Sequence, residues 1–330
     1  MVLIRAKQVR EKVKILDEII KEYKIINPQK RRDYAKYEID FKRRLKEAIR
    51  NLDKLINESI DNFDYFSKNE NKHSLPLAKR MRLILVKELN EKGNRKIANL
   101  LDLFSMLNGI DISYKTVERL YSDDKIILGL HNLFILTLNK RGIKNIDVCG
   151  DATGYSLTIT KHYSTYALKL KEKSKEQFGE KKAFVYKFAL MDLKTKMYVC
   201  YGSSLKSEKE AFDRAIQMLE NIDVKLNSIR LDRYYSCPVY VNMFKDSKVY
   251  IIPKKNVELA NGFKWHDTLK DFLLNTMEYL REYFQRNNSE AGWASDKKMF
   301  GWKISQKRED RIDTSLFVKA VWHNLLLLYH

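Results

Sequence analysis

Through the first 140 positions apolar residues recur every three or four places, as at Phe41, Leu45, Ile49, Leu52, Ile56, Ile60 and Phe63. That is the period of a helix with one buried face. The stretch from Ile126 to Leu138 is apolar almost throughout, interrupted by His131 and Asn132. At about thirteen residues it falls short of the ~20 needed to span a bilayer, and it reads as a buried helix. From Ile143 the rhythm shortens to β-like segments over 144–159, 183–192 and 197–203. A helix follows at about 207–221, then a strand over 226–232, a short helix from about 238, a strand over 248–253 and a helix beginning near Asp267. The pattern divides the chain into an all-α part, residues 1–140, and an α/β part, residues 141–330, whose mixed sheet is flanked by helices.

Within the helical part, 96–121 reads as a candidate helix-turn-helix. Ile97, Leu101, Phe104 and Leu107 form one apolar face, Asn108-Gly109 supplies a turn, and Ser113 is placed to cap the next helix. Ile112 and Val117 occupy the two positions of a hydrophobic staple around that cap. The second helix, about 114–121, would offer Tyr114, Lys115, Glu118 and Arg119 to a major groove. A purely structural helical pair has the same signature. The basic runs Lys30-Arg31-Arg32 and Lys42-Arg43-Arg44 are further candidates for phosphate contact, although such runs also serve as solvated helix faces.

Three acidic residues carry the candidate chemistry. In Gly150-Asp151-Ala152-Thr153-Gly154-Tyr155 and in Ile229-Arg230-Leu231-Asp232-Arg233-Tyr234-Tyr235-Ser236, an apolar strand runs into an aspartate. Strand propensity disfavours aspartate there, so the residue calls for a reason. Asp147 competes with Asp151 for the first position. The third acid, Glu290, lies in the spacing Tyr283-x2-Arg286-x3-Glu290-x6-Lys297. These four positions fall within about 60° on a helix at ~100° per residue and so share one stripe. A helix restarting at Ser289 as N-cap would break that stripe.

On these residues, roughly 144 to 328 resembles the DDE transposases of the insertion-sequence type. Their third acid sits in a tyrosine-arginine-glutamate-lysine motif of this spacing, and their second opens a segment matched here by Asp232-Arg233-Tyr234-Tyr235. The resemblance implies an RNase H-like core, and the order of three strands, helix, strand, helix, strand, helix agrees with it. It also implies two Mg2+ ions, with Mn2+ as a substitute, held by Asp151, Asp232 and Glu290, and phosphates held by Arg286 and Lys297, with Tyr283 and Arg233 beside the DNA. The reaction would be cleavage of double-stranded DNA at terminal inverted repeats and strand transfer into target DNA, by at least a homodimer. The short stretch from Lys255 to His266 leaves no room for the inserted domain that some relatives carry. A DNA-binding protein derived from a transposase but no longer cutting, and an RNase H-like nuclease or resolvase, share parts of this pattern. Trp265 and Trp293 are candidates either for stacking on an extruded base or for packing under the site helix.

Composition narrows the partners. A formal net charge of +20 over 330 residues predicts attraction to a polyanion through counterion release. The N-terminus passes quickly into charged helix without the apolar core of an export signal, and the cysteines Cys149, Cys200 and Cys237 are dispersed. Thiols of a reducing, cytoplasmic setting are expected, and neither a disulfide framework nor a zinc-ligand spacing is visible.

Overall fold

The computed structural model describes residues 4–28, 33–61, 75–90, 112–157, 184–259 and 262–329. Its centre is strand β1 (Asn145–Leu157), which continues past the short-range alternation of its first half because it acquires a second partner. β2 (Phe184–Asp192) pairs with it antiparallel from Val148↔Asp192 to Ser156↔Phe184, and β3 (Tyr198–Ser204) pairs antiparallel with β2. The β2–β3 turn is fastened by Asp192, whose carboxylate accepts hydrogen bonds from the Thr195 amide at 2.7 Å and from its hydroxyl. On the other flank β4 (Lys225–Arg230) lies parallel to β1, and β5 (Lys248–Tyr250) lies parallel to β4. The order is β3-β2-β1-β4-β5, and a short β6 (Lys303–Ile304) joins the far end of β1.

Parallel β4 must be reached by a crossover, and α7 (Glu208–Glu220) supplies it. Ser207 caps this helix by accepting from the Glu210 amide at 3.1 Å. Its buried face, Ala211, Phe212, Ala215 and Ile216, lies on β3 and β2. On that face Phe212 meets Phe188, Tyr235 and Tyr240 in aromatic contacts. The small residues let the backbone come close: a Cβ at Gly202 would overlap the Ala211 carbonyl and the Ala215 amide.

Helices earlier in the chain are α1 (Ala6–Lys14), α2 (Leu16–Ile26), α3 (Tyr34–Ile60), α4 (Leu77–Leu89), α5 (Tyr114–Arg119) and α6 (Asp124–Lys140). Later ones are α8 (Pro238–Met243), α9 (Phe263–Leu274), α10 (Thr276–Tyr283), α11 (Asn287–Phe300) and α12 (Glu309–Leu328). α12 is buried on nearly every side from Ile312 to Leu328, as an apolar helix without a polar face must be. It lies between the sheet and the early helices, touching β3 and α11 as well as α3, α4 and α6. Trp322 donates its indole N–H to the Leu85 carbonyl at 2.8 Å, and Arg311 pairs with Glu118. One hydrophobic cluster therefore runs from Ile4 to Leu328 through both parts of the chain.

Against the sequence pattern, the strands and helices of the α/β part fall close to their expected positions. α9 starts one turn earlier than expected, at Phe263, after Gly262 at φ 115°. The apolar run around Ile126 is the buried helix α6. In α3 the inward stripe is Ala48, Leu52, Leu55, Ile56 and Ser59, and Ile49 remains half exposed, because the inward direction passes through its small neighbour Ala48. Phe63, the run Lys30-Arg31-Arg32 and residues 96–111 of the candidate helix-turn-helix lie outside the described residues. No described helix is long and apolar enough to cross a membrane.

The tight contact at Gly202 carries a test. Gly202→Ala forces α7 away from β3 and is expected to lower unfolding stability by about 1–3 kcal/mol in denaturant titrations. An unchanged midpoint would mean that the helix does not rest on the strand there.

Candidate active site

Register explains how two aspartates 81 positions apart meet. The last parallel pair between β1 and β4 is Cys149↔Arg230. Asp151 and Asp232 each stand two residues beyond that pair, so both point to the same side of the sheet where β4 leaves β1. Asp151 is in mid-strand rather than at a strand end, opposite Ala189 on β2. Asp232 ends its segment as expected and caps the short 3-10 turn Arg233–Tyr235, accepting from the Tyr234 amide at 2.8 Å.

The third acid arrives from a helix laid along β1. After α10 the backbone tightens into a 3-10 turn, Phe284–Arg286, and continues as α11 from Asn287. There is no new cap at Ser289; its hydroxyl donates to the Cys149 thiol sulfur at 3.0 Å, inside the helix–sheet contact. Further along, the Lys297 ammonium donates to Thr153 Oγ1 at 2.6 Å. The helix is thus tied to β1 on either side of Asp151.

Three carboxylates converge on one guanidinium. Arg286 Nη1 lies 3.3 Å from Asp151 and 3.7 Å from Asp232, and its Nη2 lies 2.7 Å from Glu290. Arg286 Nε is buried and, among the described residues, has no hydrogen-bond partner. Among the described residues no three histidine, cysteine or acidic side chains are grouped closely enough to hold a metal ion as they stand. The guanidinium is the cation at their centre. Asp147, the competitor for the first position, is engaged elsewhere: it accepts from Ser228 and lies 3.8 Å from Arg230, whose other guanidinium nitrogen pairs with Glu282.

No protein-family model matches the chain. A probable transposase for insertion sequence element ISA1214 of Archaeoglobus fulgidus is 42% identical over 324 residues, which cover 98% of this chain and 96% of that protein. The chain belongs to the transposases of insertion sequence elements.

In this transposase the remaining residues singled out by sequence divide by position. Tyr283 is buried beside Arg286; burial pushes its hydroxyl up, against the pull of that guanidinium. Arg233 is half-buried next to Asp232. Lys297 is part-buried, and burial lowers its ammonium below the usual lysine value. Lys115 and Arg119 are exposed on α5, whose cap is Ser113 as expected, while Glu118 faces inward to Arg311. Val117 is fully buried, as its staple position requires. Both tryptophans are packed: Trp265 donates to the Glu258 carbonyl at 2.7 Å, and Trp293 stacks on Tyr198 at 5.0 Å. Sequence reasoning missed Asp296, Lys187 and His323, which lie beneath the site. The sequence reading of this segment followed the stripe of Tyr283, Arg286, Glu290 and Lys297, and an aspartate one place before Lys297 passes for an exposed charge.

Burial pushes the Asp151 carboxyl up to about 6 from 3.8; Arg286 and the Ala152 amide oppose the rise, and the neighbouring Asp232 and Glu290 charges add to it. A raised folded-state value means that folding favours the protonated form. The group's stabilising contribution is therefore complete below about pH 4 and lost as pH rises through about 6. Without added divalent cations, Asp151→Asn should be more stable than the parent at pH 7, on the order of 1–3 kcal/mol, and equal to it near the acid end. Chemical denaturation at both pH values measures this, and a less stable variant at pH 7 would contradict the account.

Proposed function

We propose that the chain is a DDE transposase with an RNase H-like core, cutting double-stranded DNA at its element's ends and joining the freed 3′-ends to target DNA. The observation that carries this reading is the convergence of Asp151, Asp232 and Glu290 on one guanidinium at the edge of a parallel strand pair. The sheet order, with an antiparallel β1-β2-β3 unit and parallel β4 and β5, supports the core assignment. The relative's identification as a probable insertion-sequence transposase supports the activity and, with it, DNA as the partner. The net charge of +20 agrees with such a partner.

The donor set fits magnesium. It is all hard oxygen, and when ionised its three carboxylates face a single guanidinium, leaving two negative charges uncompensated. Asp151, Asp232 and Glu290 would hold the ions, Mg2+ or Mn2+. When bound, a pair of such ions neutralises charge on the attacking and leaving oxygens of an in-line displacement at phosphorus. Arg286, once free of the carboxylates, is a planar fork suited to a phosphate, and its unpartnered Nε leaves it loosely satisfied where it lies. Lys297 offers a point charge, oriented by Thr153. Burial raises the Asp151 carboxyl to about 6, so a cation held there would favour its ionised form. Exposed Lys115 and Arg119 and the α3 run at Lys42 and Arg43 are suited to contacts farther along the duplex. Two DNA ends must be brought together for the reaction, so the working species is at least a homodimer.

The test is cleavage of a labelled inverted-repeat duplex with Mg2+. Asp151→Asn, Asp232→Asn and Glu290→Gln should each retain DNA binding and lose cleavage by about three orders of magnitude, the equivalent of several kcal/mol in the barrier. Full activity in any one of them would remove that residue from the triad. Cleavage without products joined at the 3′-end would mark a nuclease rather than a transposase.

A further inference from the structure

α11 is docked on the sheet by an unusual face. Its buried stripe is Ser289, Gly292, Trp293, Asp296 and Phe300, of which only two are large apolar residues. Gly292 allows close approach, since a Cβ there would run into Met191 and the Tyr198 hydroxyl. Asp296 is 2% exposed and is held by three elements at once. Tyr198 on β3 donates to its Oδ2 at 2.9 Å, Lys187 on β2 lies 3.8 Å from that same oxygen, and His323 Nδ1 on α12 lies 2.7 Å from Oδ1. Both ring nitrogens of His323 face acceptors, because its Nε2 donates to the Lys196 carbonyl at 2.9 Å. The Tyr198 ring is sandwiched between His323 at 3.8 Å and Trp293 at 5.0 Å. Lys187 is wholly buried, with the rings of Tyr198 and Trp293 at 5.2 and 4.9 Å from its ammonium.

An apolar stripe would hold α11 to the sheet without directional preference. A carboxylate hydrogen-bonded by Tyr198 and His323 and ion-paired with Lys187 fixes both the rotation and the axial position of the helix. That matters because one residue of slip moves a helix by about 1.5 Å and turns it by about 100°, and either change would take Glu290 out of reach of Asp151 and Asp232. Burying these charges is costly: burial draws the Lys187 ammonium down to about 8, and it works to raise the Asp296 carboxyl until His323 and Lys187 overcome it and hold that group below the usual aspartate value. Apolar replacements of such pairs are often no less stable, so stability alone does not account for the cluster.

We propose that Asp296, gripped by His323, Tyr198 and Lys187, is a positioning residue that sets the register of α11 so that Glu290 and Lys297 reach the site on β1. The inference rests on the transposase reading for its consequence in catalysis, but its mechanical part does not.

The experiment uses the full chain with Asp296→Asn and with the double variant Lys187→Met/Asp296→Leu, which removes both charges together. Amide hydrogen exchange is measured without DNA or metal, and Mg2+-dependent cleavage and duplex affinity are measured alongside. Exchange across 287–300 should quicken at least about ten-fold in both variants while the sheet stays protected, and cleavage should fall by about ten-fold or more at unchanged DNA affinity. Should the double variant not fold, Asp296→Asn decides by the same exchange and cleavage readouts. Parental exchange in 287–300, or parental cleavage in a folded variant, overturns the proposal. If the parent protein itself does not cut DNA, the functional reading fails, and the exchange measurement still decides whether Asp296 pins the helix.

Discussion

The parallel pairing of β1 with β4 is the constraint from which the rest follows. Because the ladder ends at Cys149↔Arg230, the next inward positions on the two chains are Asp151 and Asp232, and no other register would bring them side by side. A slip of one residue would turn one aspartate to the opposite face, where Phe212 and its aromatic neighbours pack. The register itself is secured nearby by Arg230, buried at the end of β4 and clamped between Asp147 and Glu282. Tyr250 on β5 lies against the same guanidinium, 4.8 Å from ring centre to its carbon. A second acid–arginine cluster thus stands behind the candidate site.

The two clusters differ in what their arginine can do. Arg230 is packed against a ring and donates to Ser228, the Glu282 carboxylate and the Glu282 carbonyl, so moving it would strip several buried groups of partners. Arg286 is held through its two terminal nitrogens, at the mouth of the site, by acids of which Glu290 is half exposed. One guanidinium cannot neutralise three carboxylates, and in Asp151, the most buried of them, burial raises the carboxyl while the Asp232 and Glu290 charges add to the rise. A raised carboxyl among converging acids is a pattern of sites built for chemistry, where local stability is given up for pre-organised charge.

Much of this was legible in the sequence, and the reasons are physical. The strands announced themselves by a shorter, β-like rhythm than the helices before them, and Asp151 and Asp232 stood out because strand propensity disfavours aspartate. The spacing from Tyr283 to Lys297 held its meaning across the 3-10 turn at Phe284–Arg286, since the backbone stays right-handed through Arg286 and Asn287. Ser289 offered a plausible helix start; what the sequence could not show is that its hydroxyl has a better acceptor in Cys149, 140 residues away. The same holds for Asp296, whose partners lie on β2, β3 and α12 and whose neighbours in sequence look like solvent-facing lysines. Arg286 was legible as a cation beside the acids, but not as the group they converge upon. Residues that act through distant partners leave little local trace, whereas residues that violate a local propensity do.

The charge balance follows the same division between interior and surface. Lys187 is matched with Asp296, Lys87 with Glu88 at 2.9 Å, Arg230 with Asp147 and Glu282, and Lys319 with the carbonyls of Phe300 and Gly301. Over the whole chain the net charge is +20, and among the described residues Lys42, Arg43, Lys115 and Arg119 are exposed cations. The described surface thus carries exposed cations, while Asp151, Asp232 and Glu290 form an acidic centre. An approaching polyanion is drawn in by the exterior, an attraction that added salt weakens. It is repelled at the centre until the carboxylates are neutralised. On the reading we propose, attraction and chemistry would be governed by different groups, and the second would depend on cations that the first does not require.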